Sequence, residues 1–241
     1  MHSILLPTFP HEPGAVVRIE GDEAKHAVRS KRLEVGHVVQ LLDGAGTIAQ
    51  CVIHEIIKDK KLGWIVDVKI EHIAQHERLT PKLHVIAAGA KGDRLEHMID
   101  GLSQVGVASW HSLVSIRTVV EPREGKLDRL RRVAEESCKQ SGRPWLMDIG
   151  DLLAFEDVAD TFPDAHIVIA DASGTCYADI APPNTSHPIV LLIGPEGGWD
   201  ERELQYAREQ NWAVVSFGHH IMRIETAAVA ASAIILDHHR L

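Results

Sequence analysis

Two stretches combine glycines, charged groups and a hydroxyl in a way that suits ligand binding and proton chemistry better than packing. The first is IGPEGGWDE (193–201), between an apolar run and a helix start. Gly194, Gly197 and Gly198 allow sharp turns and let a ligand approach main-chain groups that side chains would cover. Glu196, inside this Gly-Pro-x-Gly-Gly turn, has no evident packing duty, which favours a functional loop. The second is FGHHIMRIETA (217–227), where Arg223, Glu225 and Thr226 set a cation, an anion and a hydroxyl at the mouth of an apolar element. Taken singly, Thr226 reads as a helix N-cap and Arg223 with Glu225 as a surface pair. Taken with the first stretch they form a constellation. A third stretch, EESCKQSGRP (135–144), sets Gln140 and Arg143 around routine helix-stop residues, Gly142 and Pro144.

Other reactive patterns are missing from the sequence. It has no GxxxxGK[ST] phosphate loop, no GxSxG nucleophile elbow and no HExxH, and GAKG (89–92) lacks the rest of a dinucleotide fingerprint. The 16 histidines include the adjacent pairs His219-His220 and His238-His239, whose members point to different faces. No metal site is expected.

The elements that must position these stretches come in two styles. Residues 1–73 read as short strands, AVVRIEG (15–21), HVVQLLDG (37–44), TIAQCVIHEI (47–56) and GWIVDVKIEHI (63–73), with a DGAG hairpin and one helix over 22–32. This predicts a small β-barrel-like domain, followed by a polar linker over 74–81. Over 82–241 strands alternate with helices, which predicts an α/β domain with a parallel sheet. HIVIAD (166–171) and PIVLLIG (188–194) are continuous apolar runs, as in strands buried on both faces. Asp200 with Glu203 makes a capping-box start. Ligands of open α/β sheets sit beyond the carboxyl ends of the strands, where both glycine-bearing stretches should lie. The final helix, 226–237, contains AAVAASAIIL and is apolar all round, so it should be buried in the core or against a second subunit.

The chain has 241 residues and a formal net charge of −9, unevenly placed. Residues 148–241 hold 4 basic and 15 acidic groups, net −11, whereas residues 76–147 hold 12 and 9, net +3. Local basic clusters, Lys25, His26, Arg29, Lys31 and Arg32, and then Arg117, Arg123, Lys126, Arg129, Arg131 and Arg132, are candidates for phosphate contacts or solvated faces. Three scattered cysteines argue against a disulfide framework and for a reducing compartment. The opening MHSILLPTFPHEPG does not read as a signal peptide, and no apolar run is long enough to span a bilayer. A cytoplasmic protein is expected.

IGPEGGWDERE followed by FGHHIMRIETAA resembles the paired signature of the RsmE family of SPOUT methyltransferases. AKGDRLEHMIDGLSQVGV (90–107), EESCKQSGRP, KHAVRSKRLEVG (25–36) and DGAG are similar to further parts of that family, so the resemblance covers nearly the whole chain. It departs at Gln104-Val105-Gly106, where the family has Glu-Leu-Gly, and at His220, where it has arginine. The resemblance implies an N-terminal PUA-like β-barrel domain that binds RNA, a C-terminal SPOUT domain with a trefoil knot, and a homodimer. It implies methylation of N3 of a uridine in small-subunit (16S) ribosomal RNA, with S-adenosylmethionine as methyl donor. Arg223 and Glu225 would then be catalytic. Ile193, Gly194, Glu196, Gly197, Gly198, Phe217, Gly218, Ile221, Met222, Thr226 and Ala227 would hold the cofactor. Lys25, His26, Arg29, Lys31, Arg32 and Arg143 would contact RNA. Two other outcomes stay open: an enzyme of the same fold acting on another RNA, such as a tRNA, and a non-catalytic RNA-binding assembly factor.

Overall fold

The computed structural model describes residues 1–119, 124–180 and 186–240. The chain divides into two compact units, Met1–Arg78 with Cys138–Leu146, and Leu79–Ser137 with Met147–Leu241.

In the first unit, strands β1 (His2–Leu5), β2 (Val16–Ile19), β3 (Val38–Leu42), β4 (Thr47–Asp59) and β5 (Gly63–Gln75) form one sheet in the order β1-β3-β4-β5-β2. Pairing is antiparallel except between β1 and β3, which run parallel. Alternation sets which face is buried: Thr47, Ala49, Cys51 and Ile53 of β4 point inward, joining Val39, Leu41, Val66, Val68 and Ile70. The predicted DGAG hairpin is present. Asp43 Oδ1 accepts from the backbone N–H groups of Ala45 (2.7 Å) and Thr47 (2.8 Å). Cys138–Leu146 returns to this hairpin, with Gly46 N–H donating to Pro144 O (3.0 Å) and Leu146 N–H to Gly44 O (2.9 Å). Gly46 has φ +107°, and a Cβ there would stand 2.5 Å from the Trp145 ring, so no larger residue fits.

The helix expected over 22–32 is instead a short α1 (Gly21–Lys25) continued by a π turn (His26–Ser30). The Lys31 N–H reaches back to His26 O (3.1 Å), and Arg32 at φ +53° ends the turn in the left-handed region. Ala24 and Ala27 are buried beneath it, while Lys25, His26, Arg29, Lys31 and Arg32 are exposed.

The second unit is built on β6 (Leu83–Ala88), β7 (Ser109–Val114), β8 (Asp148–Ala154), β9 (His166–Cys176), β10 (Ile189–Ile193) and β11 (Ala213–Ser216). They form an all-parallel sheet in the order β11-β9-β10-β6-β7-β8. Its helices are α2 (Arg94–Val105), α3 (Glu124–Ser141), α4 (Val158–Thr161), α5 (Tyr177–Ile180), α6 (Glu201–Glu209) and α7 (Ile224–His238). All five residues of β10 are buried, as its unbroken apolar run predicts. One face of the sheet meets α6 through Ile86, Val190, Leu192, Leu204 and Ala207; α7 packs on β6 and β10 and against α2. The α2–α7 contact is close: a Cβ on Gly101 would lie 2.8 Å from Val229 Cγ2. Along α7, Ala228, Ala231, Ser232 and Ile235 are buried, whereas Ala233 and Ile234 are exposed in the single chain. The helix begins at Ile224 with Arg223 as N-cap, so Thr226 lies within the first turn and does not cap it. The reason is backbone geometry, since Arg223 is the extended residue (φ −67°, ψ 157°).

In the first unit, one ion pair crosses from β2 to β5. Arg18 donates through Nε to Asp67 Oδ1 (2.9 Å) and through Nη2 to Asp67 Oδ2 (2.8 Å), and the carboxylate is buried. These hydrogen bonds hold the Asp67 carboxyl below the ordinary aspartate range, against the opposing effect of burial. A carboxyl depressed in the folded state stabilises the protein above the unfolded aspartate pKa of about 3.9, and that stability is lost as pH falls through the lower folded value. Arg18→Met should therefore melt a few degrees below the parent at pH 7. The gap should close in thermal melts as pH falls through that lowered folded value, where Asp67 becomes protonated in the parent as well.

Candidate active site

All strands of the second unit run the same way, so the segments that follow β6, β7, β10 and β11 leave from one edge of the sheet. The segment after β10 (194–200) is held from several sides. Trp199 is buried and donates through Nε1 to Ala170 O at the end of the apolar part of β9 (2.9 Å). Its ring lies against Gly194, where a Cβ would come within 2.8 Å. Gly198 closes a turn by donating to Pro195 O (2.9 Å). The predicted capping box is complete: the Asp200 side chain accepts from Arg202 N, and Glu203 Oε2 accepts from Asp200 N (2.8 Å). Glu203 is buried, and its other oxygen accepts from Ile116 N (3.0 Å), binding the segment after β7 to the start of α6. Arg117 adds a brace, donating to Gly197 O (3.0 Å) and lying 3.4 Å from Asp200 Oδ2. Hydrogen bonds from Arg202 hold the Asp200 carboxyl below its ordinary range, with Arg117 adding to the effect.

The segment after β11 (217–223) is anchored at its start and open beyond it. Phe217 is buried and stacks on Tyr177, centroid to centroid 5.5 Å. The Tyr177 hydroxyl shares a hydrogen bond with His239 Nε2 (2.9 Å), and burial pushes its pKa up to about 12. Gly218 follows at φ +106°, with nothing within 4 Å of its Cβ position. His219, His220 and Arg223 are exposed, Met222 is half-buried, and Ile221 is 92% exposed.

Between these segments stands Arg94, the first residue of α2. Its Nη1 lies 3.2 Å from Glu196 Oε1 and 3.8 Å from Glu225 Oε1. Glu225 Oε2 is shielded from solvent and has no hydrogen-bond partner among the described residues. A buried acceptor left unpaired costs about 1–3 kcal/mol, a deficit that a hydrogen-bond donor on a ligand would relieve. The space beside Gly198 and Gly218 and the exposed apolar side chain of Ile221 suit a ligand with both donor groups and an apolar face.

The structure brings most of the residues singled out in the sequence to one edge, with differences of detail. Gly194, Glu196, Gly197 and Gly198 lie in the first segment, and Gly218, Ile221, Met222 and Arg223 in the second. Thr226 is exposed and Ala227 half-buried in the first turn of α7, while Ile193 and Phe217 are core residues at the segment starts. The pairing of Arg223 with Glu225 does not form. Residues two apart at a helix start do not face one another, and Glu225 turns to Arg94. Arg94 itself escaped the sequence reading, and Arg117, read as part of a basic cluster, is a brace.

That cluster is largely compensated. Lys126 and Arg129 (2.7 Å) both hold Glu96, whose carboxyl they keep below the ordinary range, and Arg131 pairs with Asp128 (2.8 Å). Arg123 lies outside the described residues. Arg143 lies half-buried in the segment that returns to the first unit's hairpin. Among the described residues, no group of three or more His, Cys, Asp or Glu is placed to hold a metal ion, and no helix is long and apolar enough to cross a membrane.

Known proteins resemble the chain in sequence and in fold. The RNA methyltransferase domain family matches residues 77–236, and the RNA methyltransferase PUA domain matches residues 19–63. The chain is 27% identical over 224 residues to ribosomal RNA small subunit methyltransferase E of a Synechocystis species, covering 91% of this chain and 72% of that one. It is 25% identical to the Bacillus subtilis protein of the same name, covering 91% of this chain and 89% of that one. Its fold matches the crystal structure of a ribosomal RNA small subunit methyltransferase E from Neisseria gonorrhoeae bound to S-adenosyl methionine. That match has a TM-score of 0.86 at 24% identity and covers 98% and 97% of the two chains. With an N-terminal PUA domain and a parallel-sheet catalytic domain, the chain belongs to the RNA methyltransferase family.

Proposed function

We propose that this enzyme methylates N3 of a uridine in small-subunit (16S) ribosomal RNA, with S-adenosylmethionine as methyl donor. The observation that carries the reading is Arg94 Nη1 standing within 4 Å of Glu196, in the glycine-bearing segment after β10, and of Glu225, just beyond the one after β11, with Glu225 Oε2 shielded and without a partner among the described residues. The relatives' names supply the substrate, and the Neisseria structure supplies the methyl donor. In this reading Ile193, Gly194, Glu196, Gly197, Gly198, Phe217, Gly218, Ile221, Met222, Thr226 and Ala227 surround the cofactor. When bound, S-adenosylmethionine supplies an electrophilic methyl group on a sulfonium.

N3 of uridine lies on the Watson–Crick edge, so the base must be unpaired or flipped out to react. Its proton must leave as the methyl arrives. Glu225, with Oε2 unpartnered, is the acceptor for that proton, and Arg223 balances the charge that grows on the uracil oxygens. Exposure of Arg223 at the N-cap of α7 suits contact with a large substrate. Alignment of two held partners supplies most of the rate, so no metal is needed.

The rest of the assembly follows the same reading. Residues 1–73 form a PUA-like barrel that contacts RNA through Lys25, His26, Arg29, Lys31 and Arg32, with help from Arg143. Of the linker expected over 74–81, residues 74–75 belong to β5, and the remainder leads into a SPOUT domain, 82–241, that contains a trefoil knot. Two chains form a homodimer, for which the exposed apolar Ala233 and Ile234 of α7 offer a surface. The enzyme acts in the cytoplasm on the ribosomal RNA or the small subunit.

The direct test is mass mapping of methylated uridines in small-subunit RNA from cells with and without the gene. A missing N3-methyluridine supports the proposal. A missing methyl group in tRNA instead would reassign the substrate, and no change with no S-adenosylmethionine binding would indicate a non-catalytic assembly factor.

Arg223→Ala should abolish methyl transfer while leaving S-adenosylmethionine affinity within about tenfold, or about 1.4 kcal/mol, in calorimetry. Loss of binding by a folded variant would make Arg223 a cofactor residue. Replacing Arg29 and Arg32 together by alanine should raise the RNA Kd and flatten the dependence of log Kd on log salt by roughly 1–2 units, since each neutralised phosphate contributes about 0.7–0.9. An unaltered salt slope would mean that the exposed cluster is only a solvated face.

A further inference from the structure

Arg94 has no part in the chemistry outlined above, yet it joins the segment after β10 to the start of α7. It leaves from the first turn of α2, and its Nη1 contacts Glu196 (3.2 Å) in the segment after β10 and Glu225 (3.8 Å) in the first turn of α7. Its side chain is 30% exposed, Glu225's is 16% exposed and Glu196's is 56% exposed. The contact with Glu225 is thus the better shielded of the two. The contact with Glu196 spans 102 residues of chain.

We propose that Arg94 is a positioning residue of the methyl-transfer site. It fastens the 194–200 segment to the start of α7 and engages Glu225 through Oε1, leaving the shielded Oε2 outside that pair. The inference rests on the methyltransferase reading of the site. A guanidinium suits this role because its planar fork can serve two carboxylates at once, whereas an ammonium is a point charge on a flexible stem. Glu196 and Glu225 each lie within 4 Å of the same nitrogen, so removing it would leave two carboxylates near one another without the charge that holds them.

The sign of the effect on cofactor affinity separates positioning from simple charge. S-adenosylmethionine carries a sulfonium, so a cation at the mouth repels it, and deleting that cation would tighten binding if Coulomb effects alone mattered. Positioning demands the opposite. Calorimetry with S-adenosylmethionine and with its uncharged-sulfur product should show Arg94→Met binding both about three- to tenfold more weakly, and Arg94→Lys falling between Met and the parent. The Arg94→Met/Glu196→Gln double variant should bind no more weakly than Arg94→Met alone, because both changes break one contact. At saturating cofactor, kcat should also fall in Arg94→Met, since Glu225 is no longer held.

Unchanged or tighter cofactor binding by Arg94→Met, or strictly additive losses in the double variant, would overturn the proposal. If Arg94→Met fails to fold by circular dichroism, Arg94→Lys and Glu196→Gln carry the same comparison. A parent enzyme that binds no S-adenosylmethionine would refute the methyltransferase reading itself. A parent that binds it as well as the Arg94 variants do would refute only the role of Arg94.

Discussion

Burial of the central strands on both faces governs where chemistry can occur in the catalytic unit. β10 has no exposed residue, and Val85, Ile86, Val168 and Ile169 of its neighbours β6 and β9 are equally buried. A polar reactive group on these strands would have to be desolvated without a partner, at a cost of about 1–3 kcal/mol or more. Polar and charged residues are therefore displaced to the strand ends. Because all six strands are parallel, their carboxyl ends share an edge, and segments far apart in sequence converge there. Arg94, Arg117, Glu196, Arg223 and Glu225 all come from segments or helix starts that follow such ends.

Convergence alone would leave mobile loops, and the fold restrains the two segments differently. The segment after β10 is fixed through backbone groups: Trp199 holds Ala170 O, Glu203 holds the amides of Asp200 and Ile116, and Arg117 holds Gly197 O. Each bond uses a buried or braced side chain to set a main-chain position, the form of preorganisation that cofactor binding through backbone groups requires. The segment after β11 is anchored by Phe217 on Tyr177 and then presents Gly218 to Arg223 with few restraints. A fixed cradle beside an exposed stretch matches a small ligand held on one side and a bulky one met on the other.

Much of this was legible in the sequence because the governing signals are local. The unbroken apolar run of β10, the alternation in β4, the Asp43-Gly44 turn and the Asp200–Glu203 capping box each follow from a few neighbouring residues. Strands β1 and β8 were not foreseen. They are short or polar edge strands, stabilised by one neighbour rather than by their own pattern. The return of Trp145 to Ala45 left no trace in spacing, since the partners lie a hundred positions apart in sequence. Arg94 was missed, and Arg117 was read only as part of a basic cluster, for the same reason: their contacts with Glu196 and Gly197 span 102 and 80 residues. A basic residue near the end of a strand looks alike whether it faces water or a distant carboxylate.

Charge distribution adds a further constraint on an enzyme whose substrate is a polyanion. Residues 148–241 carry 15 acidic groups and only four basic ones, Arg202, Arg208, Arg223 and Arg240. Arg202 pairs with Asp200 and Arg208 with Glu201, so both are spent on α6. Among the described residues Arg223 and Arg240 form no ion pair, and of these Arg223 lies in the segment that leads into the site. An acidic surface attracts a cationic methyl donor and repels RNA phosphates over a Debye length of roughly 8–10 Å. Under the proposed reaction a nucleic acid is therefore held mainly by other parts of the chain, and its reacting base calls for a cation whose charge is not already used. Had Glu225 paired with Arg223, that charge would have been cancelled. By engaging Arg94 instead, Glu225 leaves Arg223 at full charge, and one ion pair shapes the electrostatics of the other.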